Sequence, residues 1–304
     1  MTKLIVVTGP TAVGKTEAAI ALAERVGGEI ISADSMQVYK YMDIGTAKPG
    51  ADDLSRARHH MLDVVAPDEG FSVARYQLMA RACITDVADR GKTPILAGGS
   101  GFYINAVLKD IDFAETLCDD AYRQQLLDIA ASEGNARLHC LLKDIDPASH
   151  QTIHPNNVKR VVRALEFYKQ TGMRISEANA VQKKSESFYD ADIYILNMDR
   201  QLLYERIGAR TDAMFAAGLA DEVKSLLARG YTADMPAMQG LGYKEVSQYL
   251  AGAAGYADTV DRVKQATRNY AKRQLTWFKH QMTGTWIDSG KASLIKRGFD
   301  AADN

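Results

Sequence analysis

The chain has 304 residues, 46% of them hydrophobic and 25% charged, which is enough to bury a large core as one domain with an insertion or as two domains. No run of 18 apolar residues occurs, so no membrane-spanning helix is expected, and a formal net charge of −1 leaves only local clustering to signal a nucleic-acid partner. Three cysteines, Cys83, Cys118 and Cys140, stand far apart with no C-x-x-C pair, which argues against structural zinc and fits a reducing compartment.

The first predicted element is a short buried strand, Leu4-Ile5-Val6-Val7. It starts so close to the first residue that no leader is expected, and the cysteine usage points to the cytoplasm. A complete G-x-x-x-x-G-K-T loop comes next: Gly9, Pro10, Thr11, Ala12, Val13, Gly14, Lys15 and Thr16, followed by a helix from Glu17. Such a loop turns backbone N–H groups onto phosphate oxygens, Lys15 reaches an outer phosphate, and Thr16 can hold magnesium. A di- or triphosphate ligand is the reading. Glu29 to Ala33 is a second strand, taken to lie beside the P-loop strand and to end at Asp34. There a carboxylate can hold magnesium, orient a phosphate ligand, accept a proton, or merely cap a turn.

His60 to Val65 reads as a third strand, Ala74 to Asp89 as a helix and Thr93 to Ala97 as a fourth strand, closed by Gly98-Gly99-Ser100-Gly101. Alternation of this kind implies a parallel sheet covered by helices, with ligands at the carboxyl ends of the strands. The fourth strand ends in Gly-Gly-Ser rather than in the usual Walker-B carboxylate, which disfavours ATP hydrolysis and favours a P-loop that simply grips a diphosphate. Glycines at 98 to 101 allow close approach to a ligand, a tight strand-to-helix turn, or both.

From Asp119 the pattern turns helical, as in Asp119 to Glu133 and Asn156 to Gln170, until Ile193 to Met198 returns to the sheet. The polar run from Lys183 to Asp190 is read as a hinge or loop, and the remainder as helices broken at Gly218, Gly230 and Met235-Pro236. The expected fold is therefore α/β: a P-loop NTPase-like parallel sheet flanked by helices (1–118 and 189–304) with a mostly helical insertion at 119–188. Lys159, Arg160 and Arg163 crowd the start of one insertion helix, where cations oppose the macrodipole; an anionic ligand or plain solubility would explain them. Arg206 and Arg210 are one helical turn apart and suit phosphate oxygens or solvent. Residues 262 to 279 carry six basic residues and no acid. At helical spacing Lys264, Arg268, Lys272 and Lys279 share one face, with Val263, Ala266, Tyr270 and Trp277 opposite. A one-sign stripe suits a phosphodiester backbone, a solvated face being the alternative.

Taken together, the motifs resemble one family, the tRNA dimethylallyltransferases (tRNA isopentenyltransferases). The matching segments are Gly9 to Thr16, Ser32 to Tyr39, Met42 to Pro49, Gly98 to Tyr103, His154 to Asn157, Arg163 to Glu166, Met238 to Glu245 and Lys272 to Trp277, in family order over nearly the whole chain. The resemblance implies transfer of a dimethylallyl group from dimethylallyl diphosphate to the N6 amine of the adenosine 3′ of the tRNA anticodon. It implies a diphosphate bound by Gly9 to Thr16 and Arg210, magnesium on Thr16, Asp34 as general base, and Lys15, Thr16, Arg210 and Ser100 as further catalytic groups. It also implies tRNA contacts, in the anticodon stem-loop, from Asp34, Ser35, Met36, Gln37, Ser100, Arg123, Lys159, Arg160, Val161, Val162 and Arg163. Gln239, Gly240, Leu241, Gly242, Tyr243, Lys244, Lys272, Arg273 and Lys279 complete that set. Ser100 stands where the family usually has threonine, one residue more than usual separates it from Arg123, and the tail after Asp288 has no cysteines for the zinc finger of eukaryotic relatives. No apolar stripe is left over for an interface, so a monomer is expected. The competing readings are an adenylate isopentenyltransferase using free AMP or ADP, which leaves the basic segments without purpose, a P-loop kinase with a helical lid, and an RNA-binding module with a degenerate nucleotide site.

Overall fold

Every residue from Leu4 to Thr8 is buried, as a strand covered on both faces requires, and Lys3–Thr8 forms β1. The structure, a computed structural model, describes residues 1–109, 111, 119–184 and 187–289, without the side chains of 182–184. Gly28–Ser32 (β2), His59–His60 (β3), Thr93–Gly98 (β4), Asp190–Asn197 (β5) and Thr285–Asp288 (β6) join β1 in a six-stranded sheet of order β3-β2-β4-β1-β5-β6. Each neighbouring pair is parallel. Asp34 therefore does not follow a strand beside β1, as the sequence suggested: β4 lies between β1 and β2. Chain order cannot reveal this, because a crossover can skip a position in the sheet.

Helices cover both faces. Lys15–Val26 (α1), Ala51–Arg56 (α2), Val73–Asp89 (α3) and Gly101–Leu108 (α4) belong to the first half of the sheet unit. Asp120–Ser132 (α5), Asn135–Cys140 (α6), Leu142–Ile145 (α7), Pro147–Thr152 (α8), Val158–Thr171 (α9) and Ile175–Lys184 (α10) follow, then Arg200–Ala216 (α11), Leu219–Ala228 (α12), Tyr243–Leu250 (α13) and Tyr256–Gln281 (α14). Strand alternation sets the two layers. Ile5, Val7 and Ile95 meet Ala19 and Leu22 of α1 and Leu203 and Ile207 of α11, while Leu4, Val6 and Leu96 meet Tyr76 and Ile84 of α3 and Ile104 of α4. A third cluster joins Val38, Met42 and Val65 to Val223 of α12, Val246 of α13 and Val263 of α14.

The α/β reading holds, with two local corrections. The third strand keeps only His59–His60, because Met61 (φ 63°) and Asp63 (φ 55°) adopt left-handed backbone that an extended strand cannot contain. Strand β6 was read as part of a helical tail; it is four residues long with one buried side chain, Ile287, too short to show alternation. Contacts group the chain into two compact units, Met1–Leu108 with Phe188–Asn304, and Lys109–Ser187. The second unit's own core gathers Leu126, Leu138, Leu142, Val161, Val162 and Leu165. Of the polar run from Lys183, residues 183 and 184 end α10 and Asp190 begins β5; 185 and 186, like Cys118, lie outside the described residues. Among the described residues no helix is long and apolar enough to cross a membrane.

Candidate active site

The P-loop begins where β1 ends. Gly9 lies at φ 146°, and a side chain there would run into the Leu196 carbonyl of β5, so two converging chains dictate this glycine. Gly14, at φ 97°, precedes α1 and turns the first N–H groups of that helix toward the loop. Lys15 Nζ donates to the Pro10 carbonyl at 2.8 Å. Helix α11 brings two arginines to the same place: Arg210 Nη1 is 3.4 Å from the Thr11 hydroxyl, and Arg206 Nη1 lies 3.7 Å from where a Gly14 Cβ would stand. Burial pulls the Lys15 ammonium down to about 7, with Asp34 opposing the shift and Arg210 adding to it. Arg210 is lowered by burial too, again opposed by Asp34. Three cations and one carboxylate around a nest of N–H groups make a site that gains from taking up an anion.

A side chain that the sequence reading missed fixes this loop. Gln274 of α14, only 6% exposed, accepts the Thr11 N–H at 2.8 Å and donates to the Gly99 carbonyl at 2.8 Å. One amide thus joins the P-loop to the loop after β4. A Cβ at position 99 would displace the Gln274 amide, so glycine there preserves this bridge. A glutamine on the buried line of an otherwise apolar helix face was the available signal.

Asp34 follows β2, and its Oδ1 accepts the Met36 N–H at 2.9 Å, so it caps a turn and also reaches the site. Ser100 Oγ accepts the Ser35 N–H at 3.0 Å, which ties the loop after β4 to the turn that carries Asp34. Tyr270 of α14 completes this cluster. Burial raises its hydroxyl to about 12, Asp34 adds to the shift, and hydrogen bonds with Ser100 and Gln274 oppose it. Two cavities meet here. A polar one of about 380 Å³ lies over the P-loop and takes in Lys15, Thr16, Gln37 and Asp53. A more apolar one of about 280 Å³ is lined by Met36, Ile207, Met214, Leu219, Leu241 and Val263. They share Thr11, Ala12, Asp34, Thr46, Arg210 and Tyr270. The Thr16 hydroxyl and the Asp34 and Asp53 carboxylates are hard oxygen donors of the kind magnesium takes. Among the described residues no group of three or more His, Cys, Asp or Glu side chains is placed to hold a metal ion by itself.

The Met42 to Pro49 segment is held by a second missed residue. Glu222 of α12 accepts the N–H groups of Asp43 (2.9 Å), Ile44 (2.7 Å) and Gly45 (3.1 Å) and the Tyr243 hydroxyl (2.6 Å). Lys48, its side chain 5% exposed, bonds the Tyr39 carbonyl, Asp43 and Asp63. Gln37 donates to the carbonyls of Thr46 and Ala47. No local pattern marks Glu222, because its partners come from a loop far away in sequence.

The expected tRNA-contact residues fall into different places. Asp34, Ser35, Met36, Gly240, Leu241, Gly242 and Arg273 line the apolar cavity. Gln239 and Lys244 are exposed. Tyr243 lines that cavity too, buried against Gly45 with its hydroxyl donated to Glu222, because the first turn of α13 points it inward. Val161 and Val162 turn their side chains into the core of the inserted unit, while Lys159, Arg160 and Arg163 of the same helix are exposed. Arg123 is engaged by the buried Glu166 at 2.8 and 3.0 Å, a fork that fixes α5 to α9. On α14 the basic face is not wholly unneutralised, since Lys264 meets Asp212 at 2.6 Å. Its buried line is Thr259, Val263, Ala271, Gln274 and Phe278, not the expected Val263, Ala266, Tyr270 and Trp277, because α11 and α13 both pack on it. Trp277 instead covers Gly101, where a Cβ would strike its ring.

Residues 37–281 match the family model of IPP transferases. Two curated relatives named tRNA dimethylallyltransferase, from Lachnoclostridium phytofermentans and Geobacillus thermodenitrificans, are each 48% identical over 94% of this chain and 92% and 90% of their own lengths. The crystal structure of a tRNA delta(2)-isopentenylpyrophosphate transferase from Staphylococcus epidermidis is similar at 40% identity and a TM-score of 0.73, covering 100% of this chain and 98% of its own. A eukaryotic dimethylallyltransferase caught acting on tRNA is similar at 29% identity and a TM-score of 0.83, covering 100% of this chain and 78% of its own.

Proposed function

The chain belongs to the IPP transferase family, and from that footing we propose that it transfers the dimethylallyl group of dimethylallyl diphosphate to the N6 amine of the adenosine 3′ of the anticodon in tRNA, releasing pyrophosphate. The observation that carries the reading is the meeting of a polar, cation-lined cavity and an apolar cavity at Asp34 and Arg210. An allylic diphosphate is itself half polyanion and half hydrocarbon, and the junction of the two cavities is where its reacting carbon belongs.

The P-loop N–H groups, Lys15 and Arg210 hold the diphosphate, and they gain most as the carbon–oxygen bond breaks and negative charge grows on the leaving oxygens. Magnesium, held by Thr16 together with the diphosphate, would screen that same charge. The adenine amine is a poor nucleophile because its lone pair is delocalised into the ring. Asp34 accepts the N6 proton as the carbon–nitrogen bond forms, general-base help worth roughly 10²–10⁴-fold. Ser100 holds the Ser35 backbone and so fixes the turn that aims Asp34. The target base must leave its stack to reach the cavity. The wide cysteine spacing supports a cytoplasmic enzyme, and a monomer is the state proposed for it.

Transfer of label from radiolabelled dimethylallyl diphosphate, offered with magnesium to unmodified tRNA, AMP and ADP in parallel, tests the proposal. Label is expected in tRNA alone. Label in AMP or ADP, or consumption of ATP without transfer, would replace it.

A further inference from the structure

Two histidines stand side by side on the edge strand β3, and strand alternation sends them to opposite faces of the sheet. His60 pairs with Ile31, in the layer of α3, and its Nε2 lies 2.7 Å from the buried carboxylate of Glu29. Arg90 and Lys92 reach the same carboxylate, so His60 belongs to a structural cluster of ion pairs. His59 pairs with Ile30, in the layer of α1. There it lines a small polar cavity of about 50 Å³ together with Lys15, Thr16, Ser32, Asp34 and Gln37. The chemistry assigned to the P-loop makes no use of this imidazole.

Most side chains of the cavity wall are already committed. Lys15 donates to the Pro10 carbonyl, the Ser32 hydroxyl to Gln37 Oε1, and Gln37 Nε2 to the carbonyls of Thr46 and Ala47. One oxygen of Asp34 accepts the Met36 N–H. Among the described residues, no hydrogen bond engages the Thr16 hydroxyl, the other Asp34 oxygen or Nε2 of His59. Three free acceptors around a space large enough for water suit a hydrated cation.

The ring is held in one tautomer. Its Nδ1 lies 2.8 Å from the Ala57 carbonyl, which can only accept, so Nδ1 carries the proton and Nε2 keeps a lone pair. Burial pulls the imidazole pKa down, against the Ala57 carbonyl and Asp53, and so favours the neutral ring. Magnesium prefers oxygen to imidazole nitrogen and dehydrates reluctantly, keeping several of its waters. A nitrogen lone pair beside such an ion therefore serves its water rather than the metal.

We propose that His59 is a positioning residue for the magnesium ion proposed on Thr16: its Nε2 accepts a hydrogen bond from a water that the ion carries, and so orients the ion beside the diphosphate. The assignment rests on the prenyl-transfer reading only for a diphosphate on the P-loop, and its test needs no transfer.

Two near-isosteres separate this role from a structural one. In His59→Asn the amide nitrogen stands where Nδ1 did and keeps the bond to Ala57, but nothing replaces Nε2. In His59→Gln the amide reaches the Nε2 position and offers an oxygen there. Manganese, which takes the same oxygen donors as magnesium, is titrated into the full-length protein with saturating inorganic pyrophosphate and followed by electron paramagnetic resonance. His59→Asn is expected to bind manganese about 10- to 100-fold more weakly than wild type, the usual cost of losing a group that orients a metal's ligand. Its pyrophosphate affinity without metal and its urea midpoint stay at wild-type values, and His59→Gln recovers most of the manganese affinity. Wild-type manganese affinity in His59→Asn would overturn the assignment. Equal losses in the two variants would do the same, since the ring's shape and not its acceptor would then matter. Nitrogen hyperfine coupling from a directly bound imidazole would overturn it too, by making His59 a ligand. A protein that shows the expected manganese pattern but transfers no label to tRNA would keep His59 in this role and remove the reaction.

Discussion

Two groups of cations in this protein use the same residue types to opposite ends. Around the P-loop, Lys15 and Arg210 are desolvated, shifted downward and set against one carboxylate, Asp34. Along the outer side of α14, Lys272 and Lys279 are exposed, and no acid lines the cleft between α11 and α14 that they share. A partly desolvated charge acts more strongly on whatever forms beside it, because water screens it less. An exposed charge acts through affinity and salt. Mutations in the first group should therefore change chemistry, and mutations in the second should change tRNA binding.

The largest effect is expected at Asp34. Asp34→Ala should lower single-turnover transfer by roughly 10²–10⁴-fold while tRNA affinity stays within about twofold of wild type; a rate near wild type would remove Asp34 as the base. Lys15→Ala comes next, with a loss of about 10²–10³ in kcat from the missing donor on the leaving group. If it altered only KM, the P-loop lysine would be binding ground state and transition state alike. Gln274→Ala strips the Thr11 N–H and the Gly99 carbonyl of their partner, and should cost about 1–3 kcal/mol in denaturant unfolding together with weaker diphosphate binding.

The pH dependence sharpens the contrast. Lys15 titrates at about 7 in the free protein, so it is cationic below that pH and largely neutral above it. Bound diphosphate favours the cation, so binding at pH 8 should take up a proton at Lys15 and that uptake should vanish well below pH 7. Calorimetry in buffers of different ionisation enthalpy reads it. Lys15→Arg, charged throughout, should lose the uptake; equal uptake in both would assign it to another group. The smallest effect separates two lysines of one helix. Lys279→Ala should reduce the salt slope of tRNA binding by about 1. Lys264→Ala, whose charge is already met by Asp212, should leave it unchanged and cost less than about 1 kcal/mol of stability.

Much of the candidate site was legible because its parts are contiguous. The P-loop declares itself by glycine spacing between a strand and a helix, and Asp34 and Ser100 stand at strand ends where ligands of parallel sheets bind. Helical regions that pack by long-range contact were less legible. Val161 and Val162 sit among cations in the sequence yet turn inward, because the core side of α9 is set by α5, α6 and α7. Tyr243 belongs to a recognisable motif, but its hydroxyl is claimed by Glu222 from another helix.

By itself the sequence determined the α/β alternation, the phosphate-binding loop and the family, all of which depend on neighbours within a turn or a strand. Only the tertiary structure decided that β4 separates β1 from β2, that Gln274 reaches Thr11 across 263 positions, and that one face of α14 serves the catalytic cavity while another lines a basic cleft. Hydrogen bonds and burial are settled by whichever groups meet in space. Local spacing fixes the shape of each element, and the meeting of elements fixes what each side chain does.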